Sequence, residues 1–402
     1  MTEGTIAAYA ESVTVGELEA DPYPVYARLR REAPACFIPA VGLWFVTRYD
    51  DVEYVVTHPA QFTAEMADSP VDRTFGSPTI ITADGERHQD LRRGLDSKYR
   101  PRQVSGYIED LVRPIAERMA ARLAGQDRAE LMAAYFEPIS VLSLGQVLGI
   151  DELGEDTLRD WFWRLHQGVI NFEGDAERER IGSACSREID GVLAPVFDRL
   201  EAAGDDSTIS HLLHSGIPAG VPGGNCRARD YVMPTLKVIL LGGMQEPGHG
   251  GGSTLAALLT DRPQLEAVRD APELLPAAVE EGLRWMSPIG TQTRQAVGDV
   301  EIGGAVIPDG APVGALVSAA NRDDTRFADP DRFDIFRPRQ VSLAFGGGRH
   351  FCAGHAFSRA QIRIALDVLL AHYPQITLDP ARPPEFRGWE FRAPRNLDVV
   401  LG

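Results

Sequence analysis

Cysteine is scarce in this sequence. Its 402 residues contain only Cys36, Cys185, Cys226 and Cys352, too few and too scattered for the disulfide framework of a small secreted scaffold. Long apolar runs are missing too. The best candidate, residues 238–244, follows Lys237 and falls well short of a membrane span. The opening Met1-Thr2-Glu3-Gly4 offers neither a basic n-region nor an apolar h-region, so no export signal is expected and the cytoplasm is the consistent address. Positive charge is in deficit: 40 Lys and Arg against 58 Asp and Glu leave a net −18. That balance argues against nucleic acid or an anionic membrane as a bulk partner. No internal repeat, low-complexity tract or long Gly/Ser linker divides the chain, so residues 1–402 are expected to form a single domain.

The remaining pattern is mainly helical with a minor β region. Pro22 to Glu32 reads as a short helix and Trp44-Phe45-Val46-Thr47 as a strand of aromatic and β-branched residues. From Ile108 to about Leu200, apolar residues recur at helical spacing, with Leu111, Ile115, Met119 and Leu123 in one run and Leu142, Leu144 and Leu148 in another. Ser215 to Asn225, with four glycines and two prolines, reads as a surface loop. Helix is expected again over Tyr231 to Leu259 and Glu273 to Met286. Strand and turn are expected over Val300 to Ile307 and Ala311 to Ser318, followed by a long helix at Ala356 to Ala371 and a tail of short strands.

The most specific segment is Phe345-Gly346-Gly347-Gly348-Arg349-His350-Phe351-Cys352-Ala353-Gly354. It sets one cysteine in a turn bracketed by glycines, with a helix opening just after it. Glycines let backbone N–H groups approach the sulfur, and the positive end of the helix dipole lies near. Such a setting suits a thiolate bound to a soft iron centre. The Phe-Gly-x-Gly-x-His-x-Cys-x-Gly spacing resembles the haem-ligand loop of the cytochrome P450 family, and the likeness runs through almost the whole chain. It implies the family's mainly α fold, with haem held between a central long helix and the helix following the Cys loop. It also implies Cys352 as the proximal thiolate of haem b (iron protoporphyrin IX), Phe345 packed beneath the porphyrin, Gly354 as a further cofactor contact, and monooxygenase chemistry with dioxygen.

Other residues acquire meaning beside that loop. His88 and Arg92 lie at i, i+4 on one helix face, a spacing that suits the two haem propionates; Arg294 and His350 are similar to two further propionate contacts. Glu281-Gly282-Leu283-Arg284, with Arg332, resembles the family's buried charge network and implies a structural role. In Leu241-Gly242-Gly243-Met244-Gln245-Glu246-Pro247-Gly248-His249-Gly250 the chain departs from most relatives, which carry an acid followed by a hydroxyl. Gln245 and Glu246 stand at those two places and no hydroxyl is present. Pro247 lacks an N–H, so the Gly243 carbonyl loses its helical partner. Glu246, with ordered water, is expected to replace the usual threonine in proton delivery.

The same run looks like the bacterial aromatic O-demethylase branch, whose members demethylate guaiacol-type lignin fragments. Arg73 to Gly76, Ile209 to His211, Glu281 to Trp285 and Gly388-Trp389-Glu390-Phe391-Arg392 agree with it. The likeness implies a small methoxylated aromatic substrate, guaiacol or a 4-alkylguaiacol, gripped by Phe75 and Phe391 within a wall of Ile81, Val169, Val238, Gly242, Ile289 and Thr293. Val169 stands where the guaiacol-type enzyme would carry phenylalanine, leaving room for a ring substituent. The products implied are a catechol and formaldehyde. No flavin or iron–sulfur sequence is evident, so a separate NADH-dependent reductase with FAD and a 2Fe–2S cluster is implied as electron donor. Arg87, Arg92, Arg93, Lys98, Arg100 and Arg102, with Arg349, Arg359 and Arg363 beside the cysteine, would give it a basic docking face. The alternatives are hydroxylation of a terpenoid, fatty acid or macrolide, a peroxide-driven haem enzyme, and a non-catalytic haem-thiolate sensor.

Overall fold

A computed structural model describes residues 3–216 and 226–402. Most of the Ser215 to Asn225 segment read above as a loop lies outside the described residues. Helices dominate, and the longest is Ala176–Ala202. The largest apolar core is formed where these helices pack, with Trp161, Phe162, Phe197, Tyr135 and Phe136 fully enclosed. No described helix is long and apolar enough to cross a membrane.

A five-stranded mixed sheet stands beside the helices. Its order is Ala35–Ile38, Leu43–Val46, Pro312–Ala315, Gln292–Ala296 and Phe62–Thr63. Leu43–Val46 pairs parallel with Pro312–Ala315, with Trp44 opposite Val313; the other pairings are antiparallel. The apolar sequence of Leu43–Val46, LWFV, fits a central strand covered on both faces. The strand expected over Ala311 to Ser318 ends at Ala315, and Val317–Ala320 turns as a short helix instead.

The expected helix over Tyr231 to Leu259 is broken. One helix runs Arg229–Met244 and a second Glu246–Thr260, with Gln245 between them at φ −114° and ψ −32°. Pro247 is the cause: with no N–H it cannot continue the ladder to Gly243, and the second helix starts afresh when the His249 N–H donates to the Gln245 carbonyl at 2.8 Å. This second helix packs on both Leu275–Trp285 and His355–His372, the latter being the helix expected after the cysteine.

The charge network also differs from expectation. Arg284 grips Glu281 through two bonds of 2.7 Å, but the second guanidinium on Glu281 is that of Arg337, at 3.2 Å. Arg332 contributes only its carbonyl, which accepts from Arg284 at 3.0 Å. Arg284 also donates to the carbonyls of Asn321 and Pro330. The network thereby ties the Leu275–Trp285 helix to the irregular 321–337 segment leading to the cysteine loop. Both Glu281 and Arg284 are buried, so removing the carboxylate leaves two guanidinium groups uncompensated. Glu281→Ala is expected to cost about 3–5 kcal/mol in urea unfolding, with loss of pigment from the expressed protein.

Candidate functional site

The cysteine loop is fixed by its own backbone. The Gly346 N–H donates to the Leu343 carbonyl at 2.7 Å and the Cys352 N–H to the Phe345 carbonyl at 3.0 Å. Gly346 sits at φ +69°, a backbone conformation that side-chain-bearing residues rarely adopt, which favours glycine at the turn. The helix His355–His372 begins directly afterwards with Gly354 as N-cap. Burial pushes the Cys352 thiol up, while the Gly354 N–H and the charges of Arg92 and Arg359 hold it back. The backbone and helix contribution expected from sequence is therefore present but does not outweigh burial; a bound metal cation would supply the rest.

Cys352 opens onto a cavity of about 350 Å³. Every expected site residue lines it except Gln245, which is buried at the helix break. His88, Arg92, Arg294, Phe345, His350 and Gly354 surround the cysteine end. Their hydrogen bonding tests whether haem fits. His88 Nε2 and Arg294 Nη2 are buried without any partner, a costly arrangement unless something anionic fills it. Burial, then the charges of His350 and Arg92, lower His88 to about 4, and burial lowers Arg294 to about 10. Two propionates would satisfy both orphan donors, so the residues present fit the group. Arg92 is partly committed, donating to the Phe351 carbonyl at 2.7 Å. Phe345 lies under the Arg359 guanidinium, 4.2 Å from its ring centroid.

Asp84 is a member of this end that the sequence reading missed. It faces His350 Nε2 at 3.1 Å and accepts from Thr63 and the Ala64 N–H, both at 2.8 Å. Burial opposes its ionisation, but these bonds hold it well below the usual carboxylate range. The only signal for it was an acid four residues before His88.

Glu246, also on the cavity wall and near enough for its charge to act on Cys352, is 6% exposed, and neither carboxylate oxygen has a partner. Burial raises it to about 8; the nearby N–H groups of Gln245 and Glu246 oppose the rise without forming hydrogen bonds. At neutral pH it therefore carries a proton. Apolar wall residues complete the enclosure. Phe75 and Val169 are buried, whereas Ile81, 43% exposed, forms the rim. A Cβ on Gly242 would meet nothing within 4 Å, so a side chain there would project into free space. Phe391 is fixed by a bridge to Ile289 and by the His166 ring 4.9 Å away.

The two basic segments do meet, through Arg92 and the Phe351 carbonyl. Their charge is largely paired: Arg93 with Asp90, Lys98 with Asp206, Arg100 with Asp96, Arg359 with Glu280 and Arg363 with Glu109. A partner docking there exchanges internal ion pairs for external ones.

Comparison with known proteins places this geometry in context. The cytochrome P450 family model matches residues 258–394. The chain is 30% identical to the cytochrome P450 monooxygenase PikC of Streptomyces venezuelae, over 90% of this chain and 86% of that one. It is equally similar, at 30%, to a methyl-branched lipid omega-hydroxylase of Mycobacterium tuberculosis, over 89% and 86%. Among solved structures, the ligand-free cytochrome P450 TbtJ1 superimposes with a TM-score of 0.83 at 28% identity, covering 96% of this chain and 99% of that one.

Proposed function

The chain belongs to the cytochrome P450 family, and from that premise we propose that it O-demethylates small methoxylated aromatics, guaiacol or 4-alkylguaiacols, to catechols and formaldehyde. It is a monooxygenase whose cofactor is haem b, and a separate redox partner supplies its electrons. Haem b held by Cys352 supplies the activation of dioxygen that oxidises the methyl carbon. The hydroxylated methoxy group is a hemiacetal that collapses to phenol and aldehyde. The overall balance consumes dioxygen, two electrons and two protons and releases water. We assign the electrons to an NADH-dependent reductase with FAD and a 2Fe–2S cluster, docking on the basic face.

The observation that carries the reading is an unpartnered, buried acid on a cavity whose mostly aliphatic wall includes Phe75 and Phe391. Phe75 and Phe391 would hold a planar ring, His88 and Arg294 would hold the propionates, and Glu246 holds a proton at its carboxyl oxygen on the cavity wall. Val169 leaves space beside the ring for a short alkyl group. Positioning of this kind is the protein's main contribution to a reaction whose chemistry the cofactor carries.

The test is NADH-driven turnover with a reductase, measured as formaldehyde release, alongside the spin-state shift on titration with guaiacol and its 4-ethyl and 4-propyl relatives. Tightest binding and stoichiometric formaldehyde are expected with the alkylated rings; tightest binding of bare guaiacol counts against the role of Val169. Likeness to a lipid omega-hydroxylase favours a second reading, hydroxylation of an aliphatic chain. A fatty acid hydroxylated faster than any methoxyarene is demethylated would establish that reading instead.

A further inference from the structure

A second buried acid lines the cavity and has no part in the chemistry above. Glu390 is 6% exposed, and neither its Oε1 nor Thr291 Oγ1 has a partner in hydrogen-bond geometry, although the hydroxyl lies near enough to stabilise the carboxylate. The segment carrying it is firmly held. The Gly290 N–H donates to the Glu390 carbonyl at 2.7 Å, and Ile289 bridges Phe391. A Cβ on Gly290 would fall 2.0 Å from the Trp389 carbonyl, so the two segments approach this closely only because position 290 is glycine. On either side of Glu390, Trp389 is buried against Phe45 and Phe172, and Phe391 faces the cavity. The carboxyl is thus set rigidly at the aromatic end of an otherwise apolar wall. An unsatisfied buried acid destabilises the fold, and a group kept at such a cost on a cavity wall is suited to a ligand that satisfies it.

We propose that Glu390 and Thr291 form a polar subsite that binds the hydroxyl group of an aromatic ligand, making the substrates phenols rather than fully etherified rings. This deepens the O-demethylase reading and rests on it for the ring's methoxy group. Burial lifts Glu390 to about 8, with Glu19 adding to the rise and Thr291 opposing it, so the group is neutral at pH 7. A neutral carboxyl donates one hydrogen bond and accepts another, and a hydroxyl does the same. An ether can only accept, and it leaves the carbonyl oxygen of the acid unpaired.

The experiment compares two ligand pairs in the haem-loaded protein by spectral titration: 4-ethylguaiacol against 4-ethylveratrole, and 4-ethylphenol against ethylbenzene. The wild type is expected to prefer the hydroxylated member of each pair by about tenfold or more. Glu390→Gln, whose amide still donates and accepts, keeps most of that preference and unfolds at higher temperature than the wild type. Glu390→Leu, or Glu390→Ala should the larger side chain prevent folding, abolishes the preference. Equal binding within both pairs by the wild type, a preference that survives the apolar variants, or no binding by any of the four overturns the subsite. Tighter binding of 4-ethylbenzylamine, lost in Glu390→Gln, overturns it in favour of a cation site. Binding of 4-ethylphenol with neither methoxyarene bound sinks the O-demethylase reading and leaves the subsite standing.

Discussion

Glu246→Gln is expected to cut product formed per NADH consumed by on the order of 10²-fold or more, the range for losing a positioned proton donor, while NADH oxidation continues and peroxide appears. The amide matches the carboxyl in shape and fits the same partnerless pocket, so the change isolates the proton. Burial raises this carboxyl to about 8 from its ordinary 4.5, which sets the sign of the pH dependence. The proton is in place below about 8, so coupling in the wild type holds at pH 6 to 7 and falls as pH rises through that value; in Glu246→Gln the inflection disappears. Between 4.5 and 8 the unfolded chain has released this proton and the folded one has kept it. The folded state therefore loses stability as pH climbs through that window, and the glutamine variant loses less. Formaldehyde and peroxide yields against NADH, across the pH series, check both statements. Unaltered coupling in the variant removes Glu246 from proton delivery.

Cys352→Ser carries the other large effect. Serine offers a harder and far less acidic ligand than a thiol, so demethylation is expected to fall to background and the carbon monoxide difference spectrum to lose its thiolate signature. The apo fold is expected to survive: the loop hydrogen bonds at Gly346 and Cys352 are made by backbone atoms that serine retains. Near-wild-type far-UV circular dichroism in the apo variant, together with the lost signature, separates ligation from folding. A variant retaining both signature and turnover shows that Cys352 is not the ligand.

Much of the cavity lining was legible in the sequence, for a physical reason. A cysteine ligand loop needs glycines, a cysteine and a helix start within ten consecutive residues, so its chemistry is local and survives as a spacing. That His88 and Arg92 share one cavity wall was legible in the same way, through helical periodicity. Pro247 announced the missing hydrogen bond, but the apolar pattern on either side ran on unbroken and hid the division into Arg229–Met244 and Glu246–Thr260. What sequence left dark is what tertiary folding creates. Asp84 reaches His350 across most of the chain, and Arg337 displaces Arg332 in the charge network because an irregular segment, with no period to count by, decides which guanidinium turns inward. Glu390 sat in plain view between two aromatic residues, yet only burial distinguishes an unsatisfied acid from a solvated one.

The parallel pairing of Trp44 with Val313 bears on how the protein is made. Leu43–Val46 pairs early with Ala35–Ile38 on one edge, but its other edge stays open until its mate, Pro312–Ala315, leaves the ribosome, long after most helices have been synthesised. Arg294 lies on the Gln292–Ala296 strand beside that mate, opposite Val313. Arg294, on the cavity wall, is therefore seated only once this long-range closure is complete. Pigment uptake is therefore expected only after Pro312–Ala315 has docked.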